Sequence, residues 1–139
     1  MSADTFDFWI GDWDVSWEAD GEQRHGTNTV SRVGDTIREL FRSPVDDYIG
    51  ASVSRWDADA GAWVQDYWDN QGYTAIFQGV RTDARMVLER TSTLAAGPLT
   101  RLVWSDIGPD SLTWNYERQT EADGWESTWR IDYRRRAGI

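Results

Sequence analysis

Phe6-Asp7-Phe8-Trp9-Ile10-Gly11-Asp12-Trp13-Asp14-Val15-Ser16-Trp17 changes its period partway along. Phe6, Trp9 and Ile10 recur at the spacing of one helical face. Asp4 is placed to cap such a helix and Gly11 to stop it. From Trp13 onward the period is 2. Trp13, Val15 and Trp17 alternate with Asp12, Asp14, Ser16 and Glu18, the pattern of a half-buried strand. A short helix over residues 4–11 therefore runs straight into a strand. Such a segment suits a plug laid across one end of a closed sheet.

Working outward, the strand at 12–19 ends at Asp20-Gly21, a tight hairpin signal. Further alternating segments occupy 23–33, 36–43, 48–57, 62–69 and 73–81, then 85–94, 99–107, 111–120 and 125–135. Turn signals such as Gly34-Asp35, Asn70-Gln71-Gly72 and Gly108-Pro109-Asp110 separate them. The final segment alternates Trp125, Ser127, Trp129, Ile131 and Tyr133 against Glu126, Thr128, Arg130, Asp132 and Arg134. These features predict an all-β fold: a single up-and-down antiparallel β-barrel of about ten strands, one domain over residues 1–139. An even strand number lets the first and last strands pair and leaves no edge. Ten strands leave a cavity unless side chains fill it.

Composition narrows the function. The net charge of −10 argues against nucleic acid and anionic membrane as partners. No run of 18 apolar residues is present. Met1-Ser2-Ala3-Asp4 lacks the basic and apolar regions of a signal peptide, so a cytoplasmic home is expected. There is no Cys, hence no disulfide or thiol chemistry, and no Lys, hence no Schiff base. Ten Trp, five Tyr and four Phe form the strongest signal. They fit either a packed core or an aromatic ligand cavity.

The residues also carry a resemblance. The opening Phe6-Asp7-Phe8-Trp9-Ile10-Gly11-Asp12-Trp13-Asp14-Val15 resembles that of a bacterial family of small lipocalin-like (calycin) domains of unknown function. Gly26-Thr27-Asn28, Arg32, Glu39, Phe41, the Gly50–Asp57 and Trp63–Gly72 stretches, Arg101-Leu102-Val103-Trp104 and Tyr133-Arg134-Arg135 come in the same order. Gly11-Asp12-Trp13 is similar to the Gly-x-Trp motif of true lipocalins. The resemblance implies a β-barrel and no agreed activity. It also implies an arginine of the last strand packed on Trp13, for which Arg134 and Arg130 are the candidates.

By the alternation, the inward positions are Trp17, Glu39, Phe41, Ala51, Gln65, Tyr67, Tyr73, Phe77, Leu88, Arg90, Arg101, Val103, Trp114, Tyr116 and Trp129. Trp17, Glu39, Phe41, Gln65, Tyr67, Tyr73, Phe77, Arg90, Arg101, Trp114, Tyr116 and Trp129 are the candidate ligand-binding residues. A charge among them must pair, hold water or meet a ligand. Glu39 either forms an internal ion pair with Arg90 or Arg101, or stands alone as an acid of raised pKa. Asp12, Asp14 and Asp66 alternate to the outer face, while Asp69 ends its strand at a turn, where turn formation outranks the alternative of lining the mouth. His25, the single His, sits beside a turn and reads as a solvated surface residue. A mouth-of-pocket acid/base role is the lesser alternative; a haem ligand, as in some ten-stranded calycin barrels, is another. No metal-ligand spacing or phosphate loop occurs, and no cofactor is expected.

Two functions fit. One is a binder of a hydrophobic or aromatic small molecule, monomeric or homodimeric, with a pocket opening under the 43–48 connection as its lid. The other is a cofactor-free enzyme of isomerase, cyclase or hydrolase type, with Glu39 as its acid. A barrel whose interior is packed solid, working through its surface, ranks third.

Overall fold

The computed structural model describes residues 5–91, 99–122 and 124–136. Its strands are β1 (Gly11–Ala19), β2 (Glu22–Val33), β3 (Thr36–Ser43), β4 (Tyr48–Asp57), β5 (Ala62–Asp69), β6 (Thr74–Thr82), β7 (Arg85–Arg90), β8 (Thr100–Ser105), β9 (Ser111–Gln119) and β10 (Trp125–Arg135). Each pairs antiparallel with the next, and β10 returns to β1, so the sheet closes as a ten-stranded up-and-down barrel. The bounds obey the turn chemistry. Asp20 and Gly21 both hold positive φ, 54° and 78°, which the twist of a two-residue hairpin demands. The expected extension of β7 to residue 94 falls partly outside the described residues.

The expected helix over 4–11 is reduced to a single 3-10 turn, Asp7–Trp9. Asp4 lies outside the described residues. Gly11 does not stop a helix but opens β1, at φ 149°. The apolar i, i+3 spacing is real, since Phe6 and Trp9 are fully buried. Their rings stack at 5.0 Å and meet Trp104 edge-on, and Phe6 also meets Trp63. Ile10 is already extended, so one tight turn suffices to bring both rings onto the core.

Trp13 anchors the same end. Its indole N–H donates to the Trp9 carbonyl at 2.8 Å, and its ring meets Tyr133 edge-on. The arginine on its face is Arg135, 4.2 Å from the ring centroid, and neither Arg134 nor Arg130. Parity is the reason. Trp13 and Arg135 are direct cross-strand partners, so they share a face. Arg134 is exposed on the opposite face, and Arg130 bonds Asp132 on the outer wall. Arg135 also donates to the Ile10, Phe8 and Pro109 carbonyls, tying the chain's start to its end.

An added Cβ at Gly11 would overlap the Arg135 guanidinium, and φ 149° is strained for any L side chain. Gly11→Ala is therefore expected to cost about 1–3 kcal/mol. Urea melts check it; an unchanged midpoint would mean that both strand ends adapt without strain.

Most inward positions obey the alternation, but three do not. Ala51 faces out while Gly50, Ser52 and Ser54 are buried, and Arg101 and Val103 stand opposite Leu102 and Trp104, which line the interior, although Val103 is itself buried. In both strands the apolar pattern misleads. β4 puts small polar residues inside, and β8 runs Leu-Val-Trp without alternation. β10 adds a bulge between Ser127 and Trp129, so the inward course of Trp129, Ile131 and Tyr133 does not extend to Ser127 and Trp125. Ser127 and Trp125 sit on the outer wall instead. The Ser127 hydroxyl donates to Asn115, and Trp125 lies under the Arg101 guanidinium at 4.0 Å.

Candidate functional site

A cavity of about 340 Å³ occupies the half of the barrel away from the 3-10 turn, within the range of small-ligand sites. Ten strands make it possible, because their circumference exceeds what the side chains above Trp13 and Trp63 can fill. Trp129 forms its central wall. That indole stands edge-on to Trp17, Phe41, Tyr48 and Trp114 at 5.6–6.1 Å. Such edge-to-face contacts hold a rigid apolar surface.

Glu39 is the deep polar group. It projects from the middle of β3, between buried Ile37 and Phe41. Asn28 Nδ2 donates to one carboxyl oxygen and Ser52 Oγ to the other, each at 2.8 Å. The same Asn28 amide donates to Tyr133 Oη at 2.8 Å. Burial pushes the Glu39 carboxyl up to about 7, and the two hydrogen bonds pull back less than burial raises. The accessible part of the side chain faces the cavity. Burial likewise drives the Tyr133 hydroxyl well above its ordinary range, with the Glu39 charge adding.

At the mouth, hydroxyls pair. Tyr48 and Tyr67 share a hydrogen bond, Tyr48 also donates to Asp69 at 3.2 Å, and Tyr73 meets Tyr116 at 3.2 Å. Desolvation raises Tyr48 to about 12 and raises Tyr67 and Tyr73 further, so these phenols stay protonated. Gly50 makes room for the first pair, since an added Cβ would overlap the Tyr67 hydroxyl. Asp69 also accepts from the backbone N–H groups of Gln71 and Tyr73, which shapes the β5–β6 turn.

Of the candidate ligand-binding residues, Glu39, Phe41, Gln65, Tyr67, Tyr73, Phe77, Trp114, Tyr116 and Trp129 line the cavity together. Trp17 stands behind it, against Phe41 and Trp129. Arg90 lies outside the lining, 5.6 Å from the Tyr73 ring centroid. Arg101 points away from the interior and bonds Glu117 at 2.7 Å on the outer wall. The ion pair of Glu39 with Arg101 is thus excluded by strand parity, and the carboxyl's hydrogen bonds come from Asn28 and Ser52. Of the 43–48 connection, Tyr48 enters the lining. Asn70 ties that turn to the β5–β6 turn, donating to the Asp47 carbonyl at 2.7 Å.

Asn28, Ser52, Tyr48 and Gln71 belong to the site although alternation did not place them among the candidates. Asn28 carried a signal, since it shares parity with buried Val30 on β2. Ser52 carried none, because polar residues on β4 read as outward. Leu102, Trp104, Ile131 and Tyr133 complete the lining. His25, Asp12, Asp14 and Asp66 are exposed. Among the described residues no group of three or more His, Cys, Asp or Glu side chains is placed to hold a metal ion. No protein-family model matches the chain, and no curated protein matches it.

Proposed function

We propose that this protein is a lipocalin-like binder of a hydrophobic or aromatic small molecule, held in the barrel cavity. One observation carries the reading: about 340 Å³ of space walled by aromatic side chains, with a single carboxyl at its deep end. Rigid rings supply contact area, and Glu39 orients the ligand through one directional bond. A cavity of this size weighs against the solid-core alternative. No helix among the described residues is long and apolar enough to cross a membrane. A cytoplasmic protein, acting on a small molecule as monomer or homodimer, is the setting we infer.

Bound apolar compounds are expected to change the intrinsic tryptophan emission, because Trp104, Trp114 and Trp129 line the site. Titration with flavonoids, polyketide-like aromatics, fatty acids and arylalkylamines checks this. A panel that leaves the emission unchanged, together with calorimetry showing no heat, would sink the proposal.

A second reading is a cofactor-free isomerase, cyclase or hydrolase acting in the same cavity. The raised carboxyl of Glu39 favours it, since an acid near neutrality can give and take a proton. Turnover of a bound carbonyl compound, abolished in Glu39→Gln, would establish the enzyme over the carrier.

A further inference from the structure

We propose that the ligand is an organic cation: a hydrophobic amine whose ammonium group docks on Glu39 while its apolar body fills the aromatic cavity. This rests on the ligand-binding reading above and names the chemistry it selects.

The charge inventory of the lining carries the inference. Its carboxyl groups are Glu39 and Asp69, and no arginine is part of it; Arg90 lies against the Tyr73 ring, 5.6 Å from its centroid. The chain contains no lysine that could approach from elsewhere. An anionic ligand would therefore meet two carboxyl groups and no basic side chain in the lining, at a heavy desolvation cost. A cation meets the opposite. The rings of Phe41, Tyr67, Trp114 and Trp129 carry negative quadrupole potential on their faces, which attracts a cation. The net charge of −10 draws cations toward the protein from solution.

The hydrogen bonds at Glu39 are arranged for the same guest. Asn28 and Ser52 each use one oxygen, which leaves further lone pairs on both for ammonium N–H groups. They also hold the carboxyl still, so little freedom is lost on binding. The titratable groups facing Glu39 are Tyr133 from β10, Tyr67 from β5 and Tyr48 from β4, all kept neutral by burial. Its hydrogen-bond donors, Asn28 from β2 and Ser52 from β4, are uncharged. No cation among the described lining residues competes for the carboxylate.

A matched trio tests this: 4-phenylbutylamine, 4-phenylbutanol and 4-phenylbutyrate share one body and differ in the head. Calorimetric titration at about pH 8 is expected to rank the amine at least about tenfold tighter than the alcohol, with the carboxylate weakest. The amine stays protonated, so below pH 7 its affinity should fall by up to about tenfold per unit as Glu39 takes up a proton. The alcohol should show no such fall. Glu39→Gln should lower the amine to the level of the alcohol and abolish the pH dependence. An amine that binds no better than the alcohol overturns the cation inference and leaves the cavity reading standing. So does an amine preference that survives in Glu39→Gln. None of the three binding overturns both. The wild-type pH series decides the question even where the variant folds poorly.

Discussion

Trp13→Ala is expected to destabilise the protein by about 3–5 kcal/mol, the ordinary cost of emptying a large aromatic from a core. Trp13 is 1% exposed. Its loss removes the edge contact with Tyr133, the platform under Arg135 and the donor to the Trp9 carbonyl. Each acts at the place where β10 closes on β1. That ladder joins the chain's two ends into one sheet, so the damage spreads to the whole barrel. Denaturant melts measure it. A loss below about 1 kcal/mol would show that Arg135 and the backbone hold the closure without the indole.

Glu39→Gln is expected to change stability with the opposite sign, and in a pH-dependent way. The carboxyl titrates near 4.5 in an unfolded chain and near 7 in the folded one. Between those values the folded state binds more protons than the unfolded state, so stability falls as pH rises through the window. The contribution is fully favourable only below the lower value, and above the upper value the buried carboxylate costs on the order of 3 kcal/mol. Glutamine carries no such cost and still offers an oxygen to Asn28 and polar atoms to Ser52. The variant should therefore match wild type at about pH 4 and exceed it by about 1–3 kcal/mol at pH 8. Urea melts of both proteins across that range give the difference, in which the slopes of the other carboxylates cancel. A variant less stable than wild type at pH 8 would show a cation paired with Glu39 after all. Parallel profiles would place the side chain in solvent.

A binding site that destabilises its own empty form fits the proposed ligand. An amine entering the cavity would offset the desolvation cost of the buried carboxylate, coupling occupancy to stability. Thermal melts with 4-phenylbutylamine should then show a larger upward shift at pH 8 than at pH 5, a direct consequence of the Glu39 titration.

Alternation and turn chemistry are local properties, and they are legible in the residues alone. The bounds of β3, β4 and β5 match the turn signals to the residue, because Asp, Gly and Pro clusters leave the chain no other place to turn. The parity of β3 was legible too: Ile37, Glu39 and Phe41 stand against Arg38, Leu40 and Arg42, and only one of these sets can face a core. The same period-2 logic identified nine residues that line the cavity together. It failed where the local pattern carried no contrast. On β4 the buried face is Gly-Ser-Ser and the outer face Ala-Val, so hydrophobicity pointed the wrong way. On β8 three consecutive apolar residues left the choice to the neighbouring strands, and Arg101 went to Glu117. The bulge in β10 turned Trp125 outward with no mark in the sequence, because an extra residue is defined only against its partner strand. The identity of the groups around Glu39 was likewise a tertiary matter. Asn28 bonds Glu39 across the neighbouring strand, but its other partner, Tyr133, is 105 residues away and is brought there only by closure of the barrel. Sequence periodicity assigns each side chain a face; which side chains meet across the interior depends on strand number, register and closure, and these are properties of the whole sheet.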